Sequence, residues 1–172
     1  MSSVIMSPVF LKKYNCNLIR LSLAKPVFYC EDNPNIIVKI FTKEQKKSMD
    51  NEIKIHKIAE KLVPCPKIID NYIEDDIGYF LMERINGESI YDYYGDNPKD
   101  IPKEIWKQVH SIINKLYYND IHYLDITSYN FIIEKNTDKV YIIDFGDAKE
   151  IKVNWFLKDF IDGDNSWNPD FA

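Results

Sequence analysis

The sequence predicts an α+β protein of two lobes, in which an antiparallel sheet with one helix precedes a mainly helical half. Three observations support this fold class. Aliphatic, β-branched and aromatic residues dominate 18–30 and 36–41, and turn-forming residues separate the two segments at 32–35. Good helix formers then continue from Lys43 until Pro64 stops them. Hydrophobic residues make up 45% of the 172 residues and charged residues 28%, which excludes collagen-like and wholly disordered chains.

The helix and two further strands of the first lobe follow from local patterns. The helix is predicted over 43–62, because Thr42 and Gln45 are spaced as in a capping box at its start. Two more strands are predicted at 68–73 and 78–85, on either side of an acidic turn. Strands of the predicted sheet therefore lie both before and after the helix in the sequence.

The boundary between the lobes is predicted after residue 85, which gives a first lobe of 1–85 and a second of 86–172. An amphipathic helix opens the second lobe at 101–118. Its apolar stripe consists of Ile105, Val109, Ile112, Ile113 and Leu116. Two short apolar runs at 131–133 and 140–143, separated by polar residues, predict a hairpin.

Charge and cysteine content limit the partners and the compartment. The net charge of −5 has the wrong sign for a protein that grips nucleic-acid phosphates. No segment approaches the roughly 18 apolar residues of a membrane span. Cys16, Cys30 and Cys65 are odd in number and widely spaced, which predicts reduced thiols and no zinc site. We expect a cytoplasmic protein with neither nucleic acid nor membrane as a partner.

The predicted hairpin brings oxygen-bearing side chains together. If its turn is centred near Thr137, antiparallel pairing places Asn130 opposite Asp144. Asp125 lies one loop away. Two carboxylates and a carboxamide at the mouth of a hairpin form a site suited to Mg²⁺, which prefers oxygen ligands.

The same residues carry a resemblance to a known family. The loop DITSYN at 125–130, followed by IDFG at 143–146, resembles the D-x-x-x-x-N catalytic loop and the D-F-G motif of the protein-kinase superfamily. The resemblance implies that Asp125 is the catalytic base, that Asn130 and Asp144 bind metal, and that the cofactors are ATP and Mg²⁺. It also implies a two-lobed kinase-like fold with ATP in the cleft.

A lysine and a glutamate complete the resemblance in the first lobe. The run IVKI at 37–40 is similar to the V-A-I-K pattern, so Lys39 would hold the α and β phosphates and is a candidate catalytic residue. Glu52 shares the apolar stripe of the following helix, where a carboxylate needs a cationic partner. Glu52 is therefore the expected partner of Lys39, and Glu44 is the alternative.

The nucleotide-binding segments match the family less closely. The stretch 80–88 resembles the hinge between lobes, with Met82 guarding the rear pocket and Glu83 and Ile85 meeting adenine through backbone groups. No glycine-rich loop is present, since 21–27 contains no glycine. Ser22 is the side chain in this stretch that could cap the nucleotide.

The catalytic loop indicates a branch of the superfamily. It is similar to the S-x-Y-N loop of RIO-type atypical kinases and to the loop of the small kinase of the KEOPS complex. Tyr123-Leu124-Asp125 replaces H-R-D, with His122 displaced by one position, so the arginine that receives an activation-loop phosphate is absent. Only 28 residues follow Asp144, which predicts a truncated second lobe that a regulatory protein partner could complete.

The predicted activity is ATP- and Mg²⁺-dependent phosphorylation of Ser or Thr in a protein substrate. Two alternatives stay open: a catalytically weak pseudokinase that acts as a binding or scaffold protein, and a kinase of small molecules. The cluster of Tyr91, Tyr93 and Tyr94 could stack nucleic-acid bases, but Asp92, Asp96 and Asp100 disfavour a phosphate backbone there. The cluster is therefore interpreted as packing between the lobes.

Overall fold

The computed structural model describes residues 13–14, 17–21, 26–150, 155–164 and 166–168. The chain divides into two compact units, one formed by 1–49 and 67–84, the other by 50–66 and 85–172. The segment 50–66 belongs to the second unit because its apolar residues join that unit's core. The single lobe boundary after residue 85 stays a prediction.

The first unit contains a five-stranded antiparallel sheet in the order β1-β2-β3-β5-β4. The strands are β1 (Leu18–Arg20), β2 (Val27–Cys30), β3 (Ile36–Phe41), β4 (Ile68–Glu74) and β5 (Ile77–Glu83). Asp75 and Asp76 connect β4 to β5 with φ angles of 50° and 62°. Aspartate tolerates this left-handed backbone, which tight hairpin turns require.

The two faces of β3 differ in character. Val38 and Ile40 contribute to a buried cluster together with Tyr79 and Leu81 of β5. Because side chains alternate along a strand, Lys39 lies on the opposite face, where it is paired in register with Phe80. Lys39 is nevertheless only 9% exposed, an unusual burial for a lysine.

The cysteines differ from the expectation of reduced thiols. Cys30, which is fully buried at the end of β2, is disulfide-bonded, so that expectation is wrong at this position. Spacing along the sequence does not reveal which cysteines the strands bring together. Cys65 is a free buried thiol, and burial raises its pKa to about 12.

The helix after β3 begins in two stages. A 3₁₀ turn, Lys43–Gln45, precedes α1, which spans Lys46–Ala59. The backbone N–H of Thr42 donates to the Gln45 side-chain oxygen at 3.0 Å, in the capping geometry predicted from their spacing. The helix ends three residues before the predicted position 62, and the chain then turns towards Pro64.

In its described residues, the second unit contains most of α1, a three-stranded antiparallel sheet and three further α-helices. The strands, in the order β6-β7-β8, are Gly87–Ser89, Phe131–Glu134 and Val140–Ile142, and the helices are α2 (Ile90–Tyr94), α3 (Lys103–Tyr117) and α4 (Trp155–Ile161). All five residues of the predicted α3 stripe are buried. No helix among the described ranges is long and apolar enough to cross a membrane. The antiparallel sheets and the helices of the second unit confirm the predicted α+β class.

Gly87 packs so closely against β7 that an added Cβ would lie 2.1 Å from the Ile133 carbonyl oxygen. The obstacle is backbone, so we expect Gly87→Ala to force β6 away from β7 and to lower the free energy of unfolding by about 1–3 kcal/mol. Gly78→Ala is the matched control, because its added Cβ meets the flexible Met49 side chain, which can move aside. Urea unfolding followed by circular dichroism measures both variants, and equal losses would contradict the prediction.

Candidate active site

The hairpin β7–β8 joins the catalytic loop to the D-F-G segment, one residue out of the predicted register. The N–H of Ile143 donates to the Asn130 carbonyl at 2.9 Å, so Asn130 lies opposite Ile143 and not opposite Asp144. The shift arises because the turn occupies 135–138, centred half a residue earlier than predicted. Its Asn136 has φ 71°. Asn130 and Asp144 are therefore near neighbours but not a cross-strand pair.

Asp144 itself has a left-handed backbone, with φ 59°. This conformation ends the alternation of side chains along β8, and the Asp144 Oδ1 accepts the Gly146 N–H at 3.2 Å. A Cβ placed on Gly146 would lie 3.2 Å from Asp144 Oδ1 and 3.5 Å from Glu52 Oε2. The two carboxylates thus approach the same glycine, and Glu52 is only 3% exposed.

The catalytic loop is fixed by amide side chains. Asn130 Nδ2 donates to the backbone carbonyl of Asp125 at 3.0 Å, so the amide oxygen of Asn130 points away from that carbonyl. Asn168, from the C-terminal tail, donates its side-chain amide to the Leu124 carbonyl and its backbone N–H to the Ile126 carbonyl at 2.9 Å. Asp125 is therefore held between two anchored neighbours. Sequence reasoning missed Asn168, since no local pattern connects the tail to this loop.

Tyr123, at the place of the histidine in the H-R-D pattern, is buried. Its hydroxyl donates to the Ile143 carbonyl at 2.7 Å, and its ring contacts Phe145 edge-on at a centroid distance of 5.7 Å. Burial raises the pKa of Tyr123 well above its ordinary value, and Asp144, Asp125, Glu52 and Asp147 raise that pKa further. Four carboxylates of this unit therefore act electrostatically on one buried phenol.

The donors present suit a hard cation that is shared with a ligand. Among the described residues, no three His, Cys, Asp or Glu side chains are grouped closely enough to hold a metal on their own. Asn130 and Asp144 offer oxygen atoms only, as Mg²⁺ prefers. In phosphoryl transfer the remaining ligands are phosphate and water oxygens, so two protein ligands fit this ion.

Contacts from two sides hold the segment after Gly146. Asn51 Nδ2 donates to the Ala148 carbonyl at 3.2 Å, and Lys54 forms an exposed ion pair with Glu150 at 2.5 Å. On the other side, the backbones of His122 and Lys149 exchange two hydrogen bonds, of 2.9 and 3.0 Å. The exposed ion pair adds little stability, but the backbone bonds fix the path of the chain.

Two buried histidines support this arrangement. His56 Nε2 donates to the Pro66 carbonyl at 2.7 Å, and its ring lies 4.9 Å from that of Phe145. His122 stacks on Tyr117, and burial lowers the pKa of His122. His122 is therefore a buried residue packed against Tyr117. This packing agrees with its displacement from the H-R-D position.

The nucleotide-binding candidates lie in different parts of the chain. Lys39, Met82 and Glu83 belong to the first unit, and Ile85 begins a segment of the second. The Glu83 N–H donates to the Lys67 carbonyl at 2.8 Å, so a nucleotide base could meet Glu83 only through its carbonyl. Met82 is buried at the end of β5. Ser22 lies outside the described residues.

The tyrosine cluster differs from its interpretation as packing. Tyr94 packs against the core, but Tyr91 and Tyr93 are exposed. Tyr91 instead stacks on Tyr129 of the catalytic loop, at a centroid distance of 4.1 Å. A hydrogen bond to Tyr91 raises the pKa of Tyr129 to about 12. Sequence reasoning had assigned no role to Tyr129.

A family model for the protein kinase domain matches residues 26–167, which is most of the chain. The chain belongs to the protein kinase family. The matched range includes the 125–130 loop and the segment 143–146. Tyr123 and Leu124 replace the usual histidine and arginine, and the structure gives Tyr123 a support role through Ile143 and Phe145.

Two curated proteins are similar to this kinase-family chain. A probable bifunctional tRNA threonylcarbamoyladenosine biosynthesis protein of Methanocaldococcus jannaschii is 36% identical over 87 residues, which cover 51% of this chain and 14% of the relative. The EKC/KEOPS complex subunit BUD32 of Encephalitozoon cuniculi is 29% identical over 96 residues, which cover 55% of this chain and 44% of the relative. The matches thus span less than half of either relative. They confirm the resemblance to a small atypical kinase that the 125–130 loop indicated.

Proposed function

We propose that this member of the protein kinase family transfers the γ-phosphate of ATP, with Mg²⁺, to a Ser or Thr hydroxyl of a protein. The observation that carries the proposal is the approach of the Asp144 and Glu52 carboxylates to Gly146, together with the hydrogen bond from Asn130 to the Asp125 carbonyl. Oxygen donors and a carboxylate base are the groups that phosphoryl transfer requires, because the reaction needs positioning and charge neutralisation more than covalent chemistry.

Each residue of this group has a distinct role in the proposal. Asn130 and Asp144 hold Mg²⁺, which when bound neutralises charge on the phosphates. Asp125 accepts the proton of the acceptor hydroxyl while that oxygen bonds to the γ-phosphorus and the bond from the γ-phosphorus to the β–γ bridging oxygen breaks. The hydrogen bond from Asn130 to the Asp125 carbonyl supports this role, because it ties the base to a metal ligand.

Further roles rest on the family resemblance. Lys39 holds the α and β phosphates, Glu52 orients Lys39, and Met82, Glu83 and Ile85 adjoin adenine, with Ser22 as the cap. The burial of Lys39 and Glu52 supports an ionic role for both, since isolated charges are rarely buried.

A protein partner is part of the proposal. One relative is named as a subunit of the EKC/KEOPS complex, and the other as a protein of tRNA threonylcarbamoyladenosine biosynthesis. We propose that this chain also works in association with another protein. The net charge of −5 supports a protein, and not an RNA, as its direct contact.

A second candidate function is a pseudokinase scaffold. It is favoured by one observation, the lack of any glycine in the segment 21–27, where kinases wrap a glycine-rich loop over the phosphates. Such a protein would bind a partner without transferring phosphate.

A radiolabel assay separates the two functions. Wild-type protein is incubated with labelled ATP and Mg²⁺ and with casein or myelin basic protein, and thermal shift is measured with and without nucleotide. We expect label in the protein acceptor, a nucleotide-induced rise in melting temperature, and loss of the label when EDTA is added. Nucleotide binding without transfer would favour the pseudokinase, and neither binding nor transfer would exclude the proposed activity.

A further inference from the structure

A stacked pair of exposed tyrosines lies beside the loop that carries Asp125. The rings of Tyr91 and Tyr129 are inclined by only 24°, and the two residues are 38% and 55% exposed. Single exposed tyrosines need no explanation, but here stacking covers one face of each ring, and the exposed area lies on the outer faces and edges of a pair of aromatic residues, a residue type enriched at interfaces. Tyr129 directly precedes Asn130, so this surface adjoins the candidate active site.

Both rings are carried by fixed backbone. At the start of α2, Ser89 Oγ accepts the Asp92 N–H at 3.1 Å, and the Asp92 carboxylate accepts the Ser89 N–H at 3.1 Å. Tyr129 lies on the 3₁₀ turn Ser128–Asn130, which the bond from Asn130 to the Asp125 carbonyl anchors. Because this surface is already ordered in the unbound protein, ligand binding costs little free energy for ordering the two tyrosines.

The negative charge near Tyr91 and Tyr129 favours a cationic ligand. Asp92 and Asp96 are exposed, and both act electrostatically on Tyr129. Their charge repels a phosphate backbone, so the rings do not suit stacked nucleic-acid bases. Aromatic faces and carboxylates both attract a guanidinium or ammonium group, and the planar guanidinium can also stack on a ring.

We propose that Tyr91, Tyr129 and Asp96 bind an arginine or lysine side chain of the protein substrate, close to its phosphorylated Ser or Thr. This inference rests on the proposed kinase function and names the substrate class as a basic polypeptide segment. Arginine is the preferred side chain because its plane matches the ring surface.

Peptide binding tests the inference without relying on catalysis. Dye-labelled peptides carry one serine with arginine at each flanking position in turn, and each has a partner with citrulline, the neutral analogue of arginine. By fluorescence anisotropy, we expect the wild type to bind the arginine peptide about three- to tenfold tighter at one position or more. Tyr91→Ala and Asp96→Asn should reduce this ratio towards one.

Two matched controls exclude general effects. Tyr118→Ala removes another tyrosine, 74% exposed just after α3, and Asp100→Asn removes a nearby charge, and both should keep the ratio. Equal binding of arginine and citrulline peptides at every position would overturn the inference, as would tighter, Tyr91-dependent binding of single-stranded RNA. Phosphate transfer to the same peptides is measured separately. If the protein prefers arginine peptides but transfers no phosphate, the kinase function is contradicted and the binding surface is not. If it transfers phosphate without preferring arginine peptides, the binding surface is contradicted and the kinase function is not.

Discussion

Replacing Asp125 by asparagine should lower the rate of phosphate transfer by about 10²- to 10⁴-fold, because an amide cannot accept the proton of the attacking hydroxyl. The loop should keep its form, since the hydrogen bond from Asn130 goes to the backbone carbonyl of residue 125, which asparagine retains. Steady-state kinetics with a protein acceptor measures the rate, and thermal shift with Mg²⁺ and ATP measures nucleotide binding. We expect the rate to fall while nucleotide binding is retained.

Asp120→Asn is the control for this variant. Asp120 is exposed, five residues before Asp125, and its φ of 60° is one that asparagine also adopts readily. It should keep wild-type activity. If Asp125→Asn also keeps full activity, the residue is not the base, and the assignment of the catalytic loop must be abandoned.

Replacing Asp144 by asparagine should abolish the Mg²⁺-dependent part of ATP binding and lower transfer by at least about 10²-fold, because a bound cation supplies several kcal/mol of charge stabilisation in such reactions. Asparagine tolerates the left-handed backbone at this position, and its amide oxygen can still accept the Gly146 N–H. The fold should therefore survive. Melting temperature with ATP over a Mg²⁺ titration measures the effect.

Asp147→Asn provides the comparison. Asp147 is exposed in the same segment and also acts electrostatically on Tyr123, so its removal takes away the same formal charge. We expect its Mg²⁺ titration to match that of the wild type. Equal losses in the two variants would assign the effect to net charge and not to a metal ligand at Asp144.

Elements with strong local patterns could be predicted from the sequence. The stripe of α3 and the strands β3 and β5 follow from hydrophobic spacing, and all of them form. In contrast, β6 was missed, because three residues carry no periodicity and its partner β7 lies more than forty positions away. The adjoining helix α2 was missed for the same reason of length. Short elements that depend on distant partners are not visible in local sequence.

The candidate site shows the same division. Their spacing marked Asp125, Asn130 and Asp144 as candidates, and all three lie in one compact unit, while their roles stay predictions. The register error at the hairpin came from backbone angles at Asn136, which the sequence pattern did not specify. Tyr129 was missed because its significance lies in a stacking partner, Tyr91, from another element. The association of Lys39 with Glu52 stays a prediction.

Hydrogen bonds from Asn51 and His122 fix the backbone of the stretch 148–149. In many protein kinases the corresponding segment becomes ordered only after it is phosphorylated, and an arginine of the catalytic loop binds the phosphate group. Here leucine stands at the arginine's place, and the polypeptide secures the stretch by itself. For the kinase proposed above, we therefore expect phosphate transfer without prior phosphorylation of this stretch.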